Sequence, residues 1–158
     1  MSLTPATRFR FTKGPAKMDR LEVLRADGRV ERLDCPKQGI IPHDMVHWAV
    51  EHTLQARGFL GRVAQGEAAA FRMQADAGSD AVERLVEVFQ GDQWSGGGSA
   101  PSELIALYAV TCDARACAPL PVDEAAVGAV RAVIEDLGRR WAALPVGGVL
   151  ALELGPGG

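Results

Sequence analysis

Val127, Val130, Ile134, Leu137, Trp141 and Leu144 stand 3, 4, 3, 4 and 3 residues apart. That spacing predicts a long amphipathic helix after Pro121, with a narrow apolar seam suited to a neighbouring antiparallel helix at a shallow angle. A second helix is marked by Val82, Leu85, Val86 and Phe89, which recur at i, i+3, i+4 and i+7 behind a cap at Ser79 or Asp80. A third is expected from about Ser102 to Ala116. A fourth starts at Pro42, where a missing N–H costs nothing, and runs to about Ala56 before Gly58 stops it.

The first part of the chain has a different period. "TRFRFTKG" alternates polar and apolar residues through Phe9 and Phe11, as a half-buried strand does. "DRLEVLRADGRVERLDC" reads as a hairpin turning at Asp27-Gly28, because glycine accepts positive φ. Its register is open, since no single loop length aligns Leu21, Val23, Leu24, Val30 and Leu33. "GGVLALELG" supplies a further strand. The expected fold is α+β: a small antiparallel sheet, three N-terminal strands plus a C-terminal strand, packed against three or four helices. "GFLGRVAQGEAAAFRMQADAG" is ambiguous, a loop with a short strand or helix near Ala68 to Met73. "QWSGGGSAPSE" has the composition of a flexible loop.

At 158 residues, 47 % apolar and 23 % charged, the chain can bury a core of its own, and residues 1–158 are expected to form a single domain. Arg8 and Arg10 interrupt any signal-peptide core, and no apolar run approaches the length of a bilayer span. A soluble, cytoplasmic protein is the expectation. Three cysteines, an odd number, argue against a disulfide framework. Cys112 and Cys117, read as lying on one helix, fall on different faces.

Residues 1–40 hold nine Lys and Arg against five Asp and Glu, so the net charge of -3 conceals a basic first quarter. Phe9 and Phe11 are the only aromatic residues there, too few for base stacking, and nucleic acid is the less favoured partner. Arginines that keep a strand's outer face wet explain the charge more simply.

The chemistry concentrates in "CPKQGIIPHDMVHWAVEH", residues 35 to 52, which holds all three histidines. On a helix, Met45, Val46, Ala49, Val50, Thr53 and Leu54 form the apolar stripe, and His43, Asp44, His47 and Glu51 line one flank beside it. Imidazoles at i and i+4 can converge on one divalent metal, zinc being the first candidate. His43 and His47 are therefore expected metal ligands, with Glu67 or Cys35 as a third. Asp44 or Glu51 would serve acid–base chemistry or support a ligand, and Cys35 with His43 could form a nucleophilic pair. Glu51 is too far along the axis from His43 to share its metal. His52 leaves the flank and reads as structural or exposed. The competing expectation is an ordinary capped helix, with Asp44 favouring the positive end of the helix dipole.

Other motifs fail on chemistry. "GRVAQGEA" has P-loop glycine spacing, but Glu67 stands where the phosphate-binding lysine belongs. Its glycines suit tight turns, or an approach of Glu67 to the helix at 43 to 56. "SGGGS" lacks both a nucleotide fingerprint and a nucleophile elbow.

Through "RFRFTKG", "CPKQG" and "IPHDMVHWAVE" the chain resembles a group of bacterial proteins of unassigned function sharing P-H-D-x-x-H-x-x-V-E, over roughly its first seventy residues. The resemblance implies a small bacterial cytoplasmic protein and brings no catalytic residue with it. H-D-x-x-H also resembles the zincin H-E-x-x-H, with the base shortened by one methylene. Two functions stand as expectations. One is a small metal-binding domain or metal-dependent hydrolase acting on an unknown small molecule. The other is a non-enzymatic interaction module whose histidines are structural, binding a protein through its helical layer or, if "TRFRFTKG" forms a sheet edge, through that strand.

Overall fold

Strand β1 (Thr7–Thr12) lies inside the sheet rather than at its edge, because the last strand returns to pair with it. The computed structural model describes residues 7–64 and 77–154. Its elements follow as β2 (Met18–Leu24), β3 (Val30–Pro36), α1 (His43–Leu54), α2 (Phe59–Ala64), α3 (Ala77–Trp94), α4 (Pro101–Ala114), α5 (Glu124–Ala142) and β4 (Val149–Leu154). The sheet is antiparallel in the order β3-β2-β1-β4. This is the expected α+β fold, with the short helix α2 added and edge pairing through β1 ruled out.

The hairpin register that the sequence left open pairs Leu24 with Val30 and Leu21 with Leu33. Residues 25–29 then form the turn, with Gly28 at φ 90. Phe9 stands between Val23 and Leu152, and Phe11 between Leu21 and Leu150. All six are buried on one face, where the helices pack. Each such side chain contributes about 1.5–3 kcal/mol over leaving it exposed. The opposite face is wet, and its arginines are paired across strands: Arg8 with Glu153 at 3.1 Å, Arg10 with Glu22 at 3.0 Å. Part of the basic charge of the first quarter is thus paired within its own sheet.

Helix α1 packs against α2, α3 and α5. Every residue from Asp44 to Glu51 is buried, so the polar flank expected at a helix edge lies inside the molecule except at His43, which is half-buried. Trp48 donates its indole N–H to the Glu153 carbonyl at 2.9 Å and stacks on exposed His52, fixing α1 to β4. The α5 seam is buried at Val127, Val130, Ile134, Leu137 and Trp141, as its spacing requires. Lys13 donates to the Trp141 and Leu144 carbonyls at 2.8 and 2.9 Å, placing a cation at the C-terminal end of α5.

Two expectations need correction. The glycine-rich loop after α3 is held in place: Asp92 accepts from the Ser99 amide and from Arg131, which also donates to the Ser99 carbonyl at 2.7 Å. Helix α4 ends at Ala114, so Cys112 and Cys117 do not lie on one helix. The chain reverses through Ala116 at φ 53. Ala116 N–H donates to Asp113 O at 3.1 Å and Cys117 N–H to Cys112 O at 3.0 Å. Those are the two bonds of a Schellman motif, which brings the two cysteines together. The ambiguous stretch near Ala68 to Met73 lies outside the described residues, as does Glu67.

Candidate metal centre

The helical period puts His43 and His47 one turn apart on α1, and their ring centroids are 4.9 Å from each other. Both rings point at Glu83 of α3. His43 Nε2 lies 3.2 Å from one Glu83 oxygen, and His47 Nε2 lies 2.7 Å from the other. His47 is buried completely, whereas His43 and Glu83 keep about a third of their side-chain surface (31 % and 30 %). One side chain is sealed in and two face outward.

A chain of hydrogen bonds fixes the proton positions on His43. The Ile41 carbonyl can only accept, so the Gln38 amide nitrogen must donate to it, at 2.8 Å. The same nitrogen donates to Gln90 Oε1 at 3.0 Å. That oxygen, 2.8 Å from His43 Nδ1, can only accept from it. Nδ1 therefore carries the hydrogen, and Nε2 presents a lone pair toward Glu83 unless a further proton binds there.

His47 is held the same way by a charged partner. Its Nδ1 donates to Glu51 Oε2 at 3.1 Å, an i, i+4 contact with neither side chain exposed by more than 1 %. Glu51 is in turn surrounded by amides. Gly58 and Gly61 donate to Oε1 at 2.7 Å each, and Leu60 donates to Oε2 at 3.1 Å. A buried carboxylate is tolerated only with such compensation. The two glycines are required by the close approach. A Cβ on Gly58 would come within 2.5 Å of Val82 Cγ1 and 3.0 Å of Glu51 Cδ, and one on Gly61 within 3.1 Å of Glu51 Oε1. Thus α2 and the turn before it wrap the back of the site.

The electrostatics follow. Burial pulls the His47 pKa down, but the hydrogen bond it donates to Glu51, together with the close Glu83 carboxylate and both negative charges, outweighs it and raises the value to about 10. Burial likewise pushes the Glu83 carboxyl up, and the two imidazoles more than reverse this, holding it well below the usual carboxylate range. The proton held on His47 offsets one of the two carboxylate charges that face it. Even so, His47 Nε2 makes no well-aligned hydrogen bond, although Glu83 lies close to it.

Ligand atoms of His43, His47 and Glu83 all lie within 4.8 Å of one another. Two ligands of a tetrahedral zinc, each about 2.0–2.1 Å from the ion, stand roughly 3.4 Å apart. The Glu83 oxygens, 3.2 and 2.7 Å from the two Nε2 atoms, are already near that spacing, and closing a separation of 4.8 Å would take a shift of about 1.4 Å. Carboxylate–histidine–metal chains, here Glu51–His47, are the usual means of fixing a ligand's tautomer and orientation.

The other expected residues are placed differently. Asp44 is buried one residue after His43, about 100° further round the helix, and is not among these three ligands. Cys35 is buried in β3 opposite Asp19 and joins no metal-ligating group among the described residues. Glu51 has both oxygens engaged by four donors, the arrangement of a positioning group. Sequence reasoning missed Glu83 and Gln90. They sit seven apart on α3, beside the apolar stripe of Val82 and Phe89, and that shared flank was the available signal.

Compared with known protein families, curated proteins and solved structures, the chain matches none. No helix among the described residues is long and apolar enough to cross a membrane.

Proposed function

We propose that this chain is a small metal-binding domain in which His43, His47 and Glu83 hold one divalent ion, zinc first among candidates, for hydrolysis of a small molecule. The observation that carries this reading is the convergence of two Nε2 atoms on one carboxylate, while both Nδ1 positions are committed to acceptors. An imidazole lone pair facing a carboxylate is repulsive unless a cation lies between them, and the available cations are a proton or a metal.

Two histidines and a glutamate are the protein ligands of one class of hydrolytic zinc site, and with open positions also of non-haem iron sites. Three protein ligands leave room for water, and His43 and Glu83 face the side from which it could enter. Such an ion would lower the pKa of bound water toward neutrality. His47 supplies the fixed ligand, Glu51 and the 58–61 amides hold its orientation, Gln90 orients His43, and Glu83 offsets one positive charge.

The test is metal content and zinc titration of the untagged chain, alongside Glu83→Gln. Glu83 is partly exposed, so that variant should fold. Near-stoichiometric zinc in the wild type and at least 100-fold weaker binding in the variant are expected. Equal binding by the two would sink the metal reading. A non-enzymatic interaction module is favoured by a separate observation: Leu107 and Val110 stand 49 % and 64 % exposed on α4. It predicts no zinc-dependent rise in melting temperature.

A further inference from the structure

The turn that ends α4 brings together two thiols that the metal reading does not use. In a Schellman motif the residue after the left-handed position packs on the residue at the start of the last helical turn. Here those two residues are Cys117 and Cys112. The left-handed position is Ala116, at φ 53, where glycine would be the unstrained choice. Cys112 is fully buried and Cys117 half-buried, and both are free.

The backbone geometry suits a bridge. The Cys117 N–H···O Cys112 bond of 3.0 Å joins the two residues directly. With standard bond lengths it holds their Cα atoms within at most about 7 Å, and disulfides span roughly 4.4 to 6.8 Å. We propose that Cys112 and Cys117 are a dithiol that closes into a reversible disulfide when it meets a low-molecular-weight disulfide. The half-buried Cys117 is the attacking thiol and buried Cys112 the resolving one.

The exchange balances without a further reactant. Cys117 gives its proton to solvent, and its thiolate attacks one sulfur of the small disulfide. That S–S bond breaks, and the first small thiolate leaves and takes up a proton. Cys112 then loses its proton and attacks Cys117 Sγ, expelling the second small thiol. Two electrons pass from the protein to the oxidant, and two thiol hydrogens end on the released thiols. Burial, and next the Cys117 thiol beside it, push the Cys112 thiol up to about 11. A thiol so disposed gains nothing from ionising in the reduced pair, which favours persistence of the bridge.

The effect reaches the core through Tyr108, one turn before Cys112. Its hydroxyl donates to the Ala81 carbonyl of α3 at 2.9 Å and accepts from the Leu120 amide at 2.9 Å. The bridge therefore pins the segment that leads to this hydrogen bond.

The experiment uses the full folded chain, glutathione disulfide at pH 8, an acid quench, alkylation and tryptic mass spectrometry. Trypsin cuts after Arg115, between the two cysteines, so the bridge appears as two peptides joined and separated again by dithiothreitol. That linked pair is expected in the wild type and in Cys35→Ser, with a melting temperature about 5 °C higher for closing so short a loop. Cys112→Ser should instead accumulate a glutathione adduct on Cys117. A lasting adduct on Cys117 in the wild type, or no reaction at either thiol, would overturn the proposal.

Discussion

Glu51 holds His47 from behind: its Oε2 accepts the Nδ1 hydrogen at 3.1 Å while three backbone amides fill the rest of the carboxylate. The imidazole can neither flip nor change tautomer without breaking a fully buried charged hydrogen bond. The orientation of the buried imidazole is thus settled by the fold itself.

Glu51→Gln should weaken zinc binding about 10- to 100-fold, as loss of such supporting partners commonly does. It should also cost roughly 2–4 kcal/mol of stability, because an amide cannot accept from all four donors. Calorimetric titration and urea unfolding read the two effects separately. Unchanged zinc affinity in a folded Glu51→Gln would show that His47 needs no such support.

Gly58→Ala places a methyl group 2.5 Å from Val82 Cγ1 and against the Glu51 carboxylate. A loss of about 1–3 kcal/mol is expected from this overpacking, together with weaker zinc binding. Gly128→Ala, in α5 with nothing within 4 Å of the new Cβ, should instead stabilise by about 0.5–1 kcal/mol. Chemical unfolding of the pair checks both signs, and a neutral Gly58→Ala would mean the amide cradle shifts freely.

The metal-free protein should lose stability toward alkaline pH. His47 titrates at about 10 in the folded state against 6.5 in the unfolded one, so its contribution is complete below pH 6.5 and drains away as pH rises through about 10. Glu83 has the opposite sign. Its pKa is depressed below 4.5, and its contribution is present above that value and lost as pH falls. Both are therefore complete between pH 4.5 and 6.5. Imidazole proton resonances should show His47 still charged at pH 8 in the metal-free wild type. Titration near 6.5 would refute the assignment.

Asp92 is completely buried, paired with Arg131 at 3.0 Å, and also accepts the Ser99 amide. Asp92→Ala leaves Arg131 without its carboxylate and releases the loop, so a loss of roughly 3–5 kcal/mol is expected from thermal or urea unfolding. A loss under 1 kcal/mol would place the pair's worth at that of a surface ion pair.

Much of the fold was legible in the chain because it depends on local periods. The alternation around Phe9 and Phe11, the α5 seam and the Val82–Phe89 stripe each encode one element and its buried face. The common flank of His43, His47 and Glu51 was legible for the same reason. What the flank meets was not, since contact between α1 and α3 depends on how two helices pack, and Glu83 and Gln90 bear no sequence-local relation to His43. The two cysteines were misread because the helical period was carried past Ala114, where the backbone had already reversed. The hairpin register needed the turn at residues 25–29, which apolar spacing alone does not specify.

Because β1 pairs with β4, the sheet cannot be finished in the order of synthesis. On a ribosome, β1, β2 and β3 can zip together early, but one edge of β1 stays bare until residues 149–154 have emerged. During that interval Phe9 and Phe11 lack Leu150 and Leu152 beside them. The nascent chain then carries an unpaired strand edge with two phenylalanines only partly covered, the kind of edge that seeds aggregation.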